Sequence, residues 1–488
     1  MGIPYYFYYL TKKYANIIVR QLPCKINIYA IDFNGIIHPE AAKETNEEQL
    51  IINLWNKINS YNDLYKPNHL IICIDGVAPF AKIIQQRKRR YLTFYKNIID
   101  KTISKWDTNA ISPGTNFMNK LNEFITINNK NKYIFSGSNE AGEGEHKIFK
   151  FINDLIDNDD NDDKTIVING LDADLIILSL ISGKNNIYLM RENKEELTYV
   201  NIDNLKLAII SELEDKWVIE NKIDLIESYC VMCSILGNDF IPHILNLNIK
   251  SGGLDKLIAI TTQAIREKGP LVNNNIINQD TLTEIFNLIA INEDNDIIEL
   301  INKEMEKKPR DFTLKSQEYG IKNKDPVLFD MYNNSKKWRY YYYKKLFDIN
   351  INSDSAYISN ATNNYIKGIY WTYNYYKKFD LDYSWYYPYN YPPTVKDISN
   401  YLKVNTIQPI KLIGTYLQPK QQLLLILPIH SIDLIDKSMQ KYMTDISFGL
   451  KHLYPSEYKI QTLFKYHLWE CCPVLPIINI GKITKINS

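Results

Sequence analysis

Cysteine is scarce in this chain, with six in 488 residues. So few cysteines exclude the disulfide framework that stabilises small secreted domains. Cys230 and Cys233 form a CVMC pair, but no second pair follows at the spacing of a zinc site. Because the pair lies in the pattern of a buried helix, we interpret it as packing, with a metal or redox role as the alternative. The adjacent Cys471 and Cys472 are interpreted as buried thiols.

Long apolar runs are missing too. The run LLLILPI at 423–429 is far shorter than the roughly 20 residues of a membrane span. At the N-terminus, Tyr6 stands where a myristoylation site after Gly2 needs Ser or Thr. No basic segment precedes an apolar core, as it would in a signal peptide. We therefore expect a soluble, intracellular protein that does not contact membranes.

An excess of either charge is also lacking, because 57 Lys and Arg residues balance 56 Asp and Glu residues, for a net charge of +1. Any binding of nucleic acid must then come from a local basic patch. The apolar fraction of 45% and the charged fraction of 23% are typical of globular proteins. A chain of this length can form two or three domains.

Residues 1–250 alternate short β-branched runs with helical patterns, which predicts an α/β fold with a mainly parallel sheet and helices on both faces. Each predicted strand is almost wholly apolar, as strands covered on both faces are. The strands are predicted at 26–31, 70–74, 132–136, 164–169 and 186–191, and the helices at 47–59, 115–127, 145–156, 174–182 and 224–236.

Acidic residues recur just after these predicted strands, and one more follows the last helix. Ligands of open α/β sheets bind outside the carboxyl ends of the strands, so we expect these carboxylates to share one rim. Carboxylates crowded in a cleft repel one another, and divalent cations relieve that repulsion. Hard oxygen ligands in this number suit two Mg²⁺ or Mn²⁺ ions rather than zinc. The seven residues are Asp32, Asp75, Glu143, Glu145, Asp172, Asp174 and Asp239.

Each of these acidic residues also has a purely structural interpretation. A lone Asp after a strand is commonly a helix cap or a turn former, and Asp172 is placed to cap the helix that opens at Asp174. Glu143 and Glu145 would point in opposite directions on one continuous helix. They converge only if Glu143 stays in the glycine-rich loop before the helix. Five such segments together make the structural interpretation of the whole set the weaker one.

A basic helix face follows the strand that ends near Asp75. In AKIIQQRKRRY, the spacing places Lys82, Gln86, Arg89 and Arg90 on one side of a helix, where they can hold a phosphate group. A nuclear-localisation patch or a solvated helix face is the alternative. His38, six residues after Asp32, is an ordinary loop histidine or a ring that stacks on a nucleobase.

The remaining chain is predicted as a helical connecting segment at 251–330 and a second, aromatic-rich region at 331–488. Most rings of the second region recur at helical spacing and are expected in its core, and some could grip single strands beside Lys and Arg. The acidic run at 153–164 fails as a calcium loop, because Gly and Glu are missing at the sixth and twelfth positions.

These motifs resemble the Xrn-type 5′→3′ exoribonucleases, relatives of the flap endonucleases with a PIN-like catalytic domain. The first region carries MGIPYYFYYL, IDFNGIIH, IDGVAPFAKIIQQRKRRY, ISPGTNFM, EAGEGEHKI, GLDADLIILSL, LMRE and GNDFIPH. The second region carries YIKGIYWTYNYY, SWYYPYNYPP, QQLLLILP and LYPSEY. The resemblance runs in order along nearly the whole chain. It implies a PIN-like catalytic domain at 1–250 and a mostly helical second region packed around the active site.

The resemblance also implies a role for each group of residues. The seven carboxylates would hold two Mg²⁺ ions, and the four residues of the basic face would bind a 5′-monophosphate. His38 would stack on the first base, opposite a Trp for which Trp385 is our choice and Trp371 the alternative. The sequence departs from relatives in YSWYYPYN, where they tend to carry a second Trp and a His. The insertion between the regions is shorter than in many relatives, and no tail is present for additional C-terminal modules.

The implied activity is processive, two-metal 5′→3′ hydrolysis of 5′-monophosphorylated single-stranded RNA to nucleoside 5′-monophosphates, in messenger RNA turnover. A monomer in the cytoplasm, or in the host cytoplasm or virion if the protein is viral, would work with decapping or other RNA-decay factors. Two alternatives stay open. A flap-type DNA nuclease shares the carboxylates, and a non-catalytic RNA-binding protein could keep the fold.

Overall fold

Seven strands from the N-terminal half form one sheet in the computed structural model, which describes residues 3, 5–44, 46–102, 106–157, 164–170, 172–192, 196–214, 221–310 and 314–486. The strands are β1 (Ile18–Val19), β2 (Ile28–Asp32), β3 (His69–Cys73), β4 (Ile134–Ser136), β5 (Ile166–Asn169), β6 (Ile187–Glu192) and β7 (Leu197–Asn201). Their order is β1–β7–β6–β5–β2–β3–β4; β7 is antiparallel to both of its neighbours, β1 and β6, and the other neighbouring strands are parallel. The mainly parallel sheet and all five predicted strands are confirmed.

Most of the remaining described chain is helical. The α-helices are α1 (Tyr6–Lys13), α2 (Asn34–Ala41), α3 (Glu47–Tyr65), α4 (Phe80–Asp100), α5 (Asn116–Asn129), α6 (Gly144–Asp157), α7 (Ala173–Ile181), α8 (Ile202–Leu213), α9 (Lys222–Cys233), α10 (Gly253–Lys268), α11 (Gln279–Ala290), α12 (Glu293–Glu306), α13 (Tyr319–Lys322), α14 (Pro326–Asn333), α15 (Trp338–Leu346), α16 (Ser355–Lys377), α17 (Val395–Val404), α18 (Pro419–Ile426), α19 (Lys437–Thr444) and α20 (Ile480–Ile483). Two short hairpins pair β8 (Val272–Asn273) with β9 (Ile276–Ile277) and β10 (Ile460–Gln461) with β11 (Cys472–Pro473).

The central strands are apolar on both sides because helices cover both faces of the sheet. In β2, Ile28 and Ala30 pack into one core, and Tyr29 and Ile31 pack into the other. Helices α6, α7 and α9 belong to the first core, whereas α2, α3 and α5 belong to the second. Alternate residues of a strand point to opposite faces, so a continuous apolar run is what this arrangement requires.

The pairing register aligns the carboxyl ends of β2, β3 and β4 at one edge of the sheet. Asp32 of β2 stands opposite Cys73 of β3, and the Phe33 N–H donates to the Cys73 carbonyl at 2.9 Å. The Ile74 N–H donates in turn to the Ser136 carbonyl of β4, also at 2.9 Å. The loops that leave these strands therefore start side by side.

Two of those loops are joined by backbone hydrogen bonds that leave no room for side chains. The Gly76 N–H donates to the Gly142 carbonyl at 2.9 Å, and the Gly142 N–H donates to the Val77 carbonyl at 2.8 Å. A Cβ atom on Gly76 would lie 1.7 Å from the Glu140 carbonyl oxygen. Only glycine permits this close approach, which brings the loop after β3 against the loop before α6.

The second region wraps around this α/β unit through α16 and α18. The buried face of α16 shares the first core of the sheet and includes Tyr365, Trp371 and Tyr375. Helix α4 packs on the other side against α18, where Phe80 and Ile83 meet Leu424. Most aromatic rings of the second region are thus buried or half-buried, in keeping with the core expected from their helical spacing.

The connecting segment differs in detail from the predicted run of helices. It contains α10, α11 and α12, but the Asn-rich stretch after α10 forms the β8–β9 hairpin. Asn274 and Asn275 occupy the two loop positions with φ of 48° and 62°. Asparagine tolerates this left-handed conformation, and two such residues make the tight turn that matches strand twist.

Three smaller expectations concern cysteines, membranes and the acidic run. Cys230 and Cys233 are buried in α9, in keeping with a packing role. Among the described residues, no helix has both the length and the apolar character of a membrane span. Gly2 and residues 158–163 of the acidic run lie outside the described residues.

Replacing Gly76 by Ala is expected to lower the free energy of unfolding by about 1–3 kcal/mol, because the added methyl group forces the two loops apart. Urea denaturation measures the change. Gly35→Ala is the matched control, since its nearest non-local atom would be 4.0 Å away. Equal unfolding free energies for Gly76→Ala and Gly35→Ala would contradict the proposed close approach.

Candidate active site

All seven predicted carboxylates lie at the edge of the sheet where the central parallel strands end. Each comes from the end of a strand, the start of a helix or the loop after α9. Their convergence confirms the expectation that one rim collects them. Six are buried or half-buried and Asp172 is exposed: Asp32 ends β2, Asp75 follows β3, Glu143 and Glu145 stand at the start of α6, Asp172 and Asp174 at the start of α7, and Asp239 after α9.

Lys82 of α4 lies in the middle of this group. Its ammonium nitrogen is 2.5 Å from Glu143, 2.8 Å from Asp239 and 3.9 Å from Asp174. Burial alone would lower the pKa of Lys82, but the carboxylates outweigh it and raise that pKa well above its usual value. Burial likewise raises the pKa of Asp239, yet the Lys82 charge dominates and lowers it below its usual range. Lys82 therefore stays charged and compensates part of the negative charge.

The other buried carboxylates are under-compensated. Burial, followed by repulsion from Asp75, raises the pKa of Asp32 well above its usual value. Burial, followed by repulsion from Asp174, does the same for the pKa of Glu145. Such shifts mean that the ionised forms are destabilised where they stand. A group that adds positive charge here would restore them to the ionised state.

Glu143 and Glu145 converge because helix α6 begins between them. Glu143 precedes the helix, and its carbonyl accepts a hydrogen bond from the Lys147 N–H at 3.1 Å. The Gly144 N–H donates to Asp75 Oδ1 at 2.7 Å. A Cβ atom on Gly144 would lie 3.0 Å from Asp32 Oδ1, so glycine lets the helix start come up against two carboxylates. The predicted loop position of Glu143 is confirmed.

Asp172 stands at the N-cap position of α7, where the structural interpretation placed it. Its side chain makes no capping hydrogen bond to the helix, and it is the most exposed of the seven carboxylates. Position alone therefore does not make it a helix cap.

Two tyrosines that we did not anticipate from the sequence hold carboxylates from the second region. The hydroxyl groups of Tyr375 and Tyr376, adjacent in α16, donate to Glu143 and Asp174 respectively, the latter at 3.0 Å. Both rings are buried. The sequence places them on a helix, but only the fold shows that they face acidic residues about 200 positions away.

His146 is a third residue that sequence reasoning missed. It follows Glu145 and is buried, with its ring centroid 4.1 Å from that of Tyr375. Burial lowers its pKa well below the usual value, so the ring is neutral. The sequence signal for it is the motif EGEHK, where it directly follows the metal-binding candidate Glu145.

The predicted basic face does lie along α4, but its four residues divide into two groups. Lys82 turns toward the carboxylates as described. Arg90 donates to Asn109 Oδ1 at 2.7 Å and to Ser112 Oγ at 2.8 Å, whereas Arg89 is exposed. Gln86 is half-buried between them. Gln86, Arg89 and Arg90 therefore remain on the predicted face, whereas Lys82 leaves it.

His38 lies close enough to this face for the arginines to act on its charge. Burial, then Arg89 and Arg90, lowers the pKa of His38 to about 4. The imidazole is thus neutral near pH 7, and a neutral ring is suited to stacking on a base.

The two tryptophans considered for stacking are both buried. Trp385 is 5% exposed and packs against Trp371, with ring centroids 5.1 Å apart. Trp371 is fully buried and donates its indole N–H to the Asp382 carbonyl at 2.8 Å. The assignment of Trp385 to base stacking stays a prediction.

The donor set fits a divalent cation. Asp32 Oδ1 is buried and has no hydrogen-bond partner among the described residues. Glu143, Glu145 and His146 offer ligand atoms that lie within 4.8 Å of one another. Carboxylate oxygens dominate, which suits Mg²⁺ or Mn²⁺ better than zinc.

Family models match both regions of the chain. The model described as the XRN 5′-3′ exonuclease N-terminus matches residues 1–193. The model described as the Xrn1 helical domain matches residues 217–335 and 332–486. Since these matches cover most of the sequence, the chain belongs to the XRN family of 5′-3′ exonucleases.

Several curated relatives align with nearly the whole chain. Human 5′-3′ exoribonuclease 1 is 26% identical over 98% of this chain, and the Drosophila melanogaster 5′-3′ exoribonuclease 2 homolog is 24% identical over 99%. The chain spans 33% of the human relative's length and 70% of the fly relative's. The solved catalytic core of Rad2 in complex with DNA substrate matches 89% of this chain and 100% of its own, at 11% identity and a TM-score of 0.35, too low to argue from.

Tyr375→Phe is expected to weaken Mg²⁺ binding about 10- to 100-fold, because removing a hydrogen-bond partner of a metal-binding carboxylate has that effect. Calorimetric titration with Mg²⁺ measures it. Tyr365→Phe is the matched control, since this buried tyrosine of the same helix donates to the Pro242 carbonyl instead. Equal Mg²⁺ affinities in the two variants would contradict the role of the Tyr375 hydroxyl.

His38 is expected to titrate near pH 4 in NMR spectra of its imidazole, and Arg89→Ala should move the midpoint upward by removing a repelling charge. Because folding lowers this pKa from 6.5 to about 4, His38 destabilises the folded state as the pH falls through that window. His430 is the internal control, since burial alone lowers its pKa. If Arg89→Ala leaves the titration midpoint of His38 unchanged, Arg89 does not lie close enough to His38 to affect its pKa.

Proposed function

We propose that this protein is a metal-dependent 5′→3′ exoribonuclease that releases nucleoside 5′-monophosphates from single-stranded RNA. One observation carries the proposal: a largely buried group of carboxylates from five segments adjoins a basic helix face whose Arg89 is exposed. Membership of the XRN family supports the same activity. The carboxylates supply the place of cutting, and the basic face selects the end that is cut.

The seven carboxylates would hold two Mg²⁺ ions, with Mn²⁺ as a substitute. Bound there, the ions would lower the pKa of a water molecule and stabilise the leaving 3′-oxygen. Tyr375 and Tyr376 keep Glu143 and Asp174 oriented by hydrogen bonds. The same hydroxyl groups form part of the second-region side of the site.

Gln86, Arg89 and Arg90 would bind the terminal 5′-phosphate and so set the distance from the RNA end to the carboxylates. Arginine suits this task because its planar group forms paired hydrogen bonds with phosphate oxygens. Asn109 and Ser112 hold Arg90 in place. A pocket built for one phosphate group would exclude a cap or a triphosphate. Each cut exposes a new 5′-phosphate, which allows the same contacts to repeat processively.

The biological role follows from that selectivity. RNA becomes monophosphorylated at its 5′ end when a cap is removed, so we propose a role in messenger RNA turnover after decapping. Decapping or other RNA-decay factors would be partners, and we propose a cytoplasmic monomer. The proposed role and the proposed partners both depend on the preference of the basic face for a 5′-monophosphate.

The activity is tested by incubating a 5′-phosphorylated single-stranded RNA of about 20 nucleotides with the protein and Mg²⁺. We expect mononucleotides to appear from the 5′ end, and the same RNA with a 5′-hydroxyl or a cap to persist. A DNA strand of the same sequence and a DNA flap test the nuclease alternative. Preferential cutting of the flap, or internal fragments from the RNA, would overturn the proposal.

Two sets of variants separate cutting from end selection. Asp174→Ala should abolish hydrolysis while RNA binding in Mg²⁺-free buffer persists. Replacing Arg89 and Arg90 together by Ala should bring the rates on 5′-phosphate and 5′-hydroxyl ends close together. Lys101→Ala, at the exposed end of the same helix, is the control and should change neither property. An unchanged end preference in the double variant would rule out the pocket.

A further inference from the structure

A cleft of about 380 Å³ opens beside the candidate active site. Arg89, Asp239, Tyr466 and Trp469 are among the residues that line it. Its volume falls within the roughly 300–1,000 Å³ of small-ligand sites. The cleft is therefore continuous with the residues that would bind and cut RNA.

The cleft concentrates positive charge in a chain that is almost neutral. Six Lys or Arg residues line it against three acidic residues, an excess of three, whereas the whole chain has a net charge of +1. Lys88, Arg89 and Lys96 of α4 supply half of the basic residues. A local basic patch of this kind is what binding of a phosphate backbone requires.

Aromatic rings accompany the charges, and one of them is exposed. Trp469 is 45% exposed, and its ring centroid lies 5.6 Å from that of Tyr5 and 5.9 Å from that of His467. Lys250 stands over the Tyr5 ring at 4.0 Å. An exposed indole beside a lysine is the combination that holds single-stranded bases without sequence preference.

The carboxylate of Glu470 holds Tyr5, Lys250 and the turn that carries Trp469 together by hydrogen bonds. One carboxylate oxygen accepts hydrogen bonds from the Tyr5 hydroxyl at 3.2 Å and from the Lys250 ammonium at 3.0 Å. The other accepts from the backbone N–H groups of Tyr466 and His467, at 2.8 and 2.9 Å. Three separate parts of the chain are thereby held together, so the turn that carries Trp469 is ordered before any ligand arrives.

We propose that this cleft binds the single-stranded RNA downstream of the cut, with one base stacked on Trp469 and the backbone near Lys250. The proposal deepens the proposed function and rests on it. A duplex hides the faces of its bases, so a stacking platform favours single strands. Contacts beyond the cut would keep a long RNA bound between successive cuts, whereas a dinucleotide would not reach Trp469.

The test compares Trp469→Ala with wild type on two 5′-phosphorylated substrates, the dinucleotide pUpU and a 20-nucleotide oligouridylate. Binding of the longer RNA is read by fluorescence anisotropy in the Asp174→Ala background, which does not require cutting. We expect about tenfold weaker binding and a similarly higher KM for the longer RNA, with kcat/KM on pUpU unchanged. Trp469→Phe should recover most of the affinity, because a smaller ring still stacks.

Tyr357→Ala is the control, since this tyrosine is 63% exposed and does not line the cleft. In the wild type, 4-thiouridine placed downstream of the cut should cross-link to the peptide that carries Trp469. Unchanged affinity in Trp469→Ala, an equal loss on pUpU, or cross-links confined to other peptides would each overturn the proposal. If the wild type binds the longer RNA but does not cut it, the proposed function fails while the cleft proposal stands.

Discussion

A single buried ammonium group, that of Lys82, meets carboxylates from three different segments, and much of this structure depends on that contact. Removing charges from water costs several kcal/mol per ion, and like charges brought together add to the cost. Lys82 contacts Glu143 and Asp239, but Asp32 and Glu145 remain under-compensated, with raised pKa values. A fold that keeps such a deficit is suited to binding divalent cations.

Lys82 also joins the two halves of the proposed chemistry, because it shares helix α4 with Arg89. Two helical turns span roughly 11 Å, so the carboxylates and the phosphate-binding residues stand at a fixed separation. Metal binding would change the surroundings of Lys82 near the start of this helix. Under the proposed function, one helix would then connect selection of the RNA end with cutting.

The second region completes the site rather than merely covering it. Tyr375 and Tyr376 supply hydrogen bonds to the carboxylates, and α16 also buries Trp371 against the α/β unit. Glycines make the opposite contribution, because Gly76 and Gly144 let backbones approach where a side chain would collide. The site thus depends on hydroxyl donors from a distant part of the sequence and on glycines that leave room for close backbone contacts.

Much of this arrangement is predictable from the sequence because it depends on local rules. A compact apolar run predicts a strand, and an acidic residue after it predicts a place on one rim, as for Asp32. Strand β7, which lies between β1 and β6, and the β8–β9 hairpin were missed, since short strands and Asn–Asn turns give weak patterns. The contact of Tyr375 with Glu143 spans 232 positions, and no periodicity reports such a pairing. The contact of the Lys82 ammonium group with the carboxylates was missed. Helical spacing predicts the position of the Cβ atom, but not the position of the ammonium group at the end of a long side chain.

The most direct test of the central claim is a crystal structure of the protein grown with Mn²⁺, with anomalous scattering used to locate the metal. The account predicts anomalous peaks for two ions among the seven carboxylates, with the Lys82 ammonium moved away from Glu143. Anomalous density absent from these carboxylates while Lys82 keeps its contact with Glu143 would contradict the account.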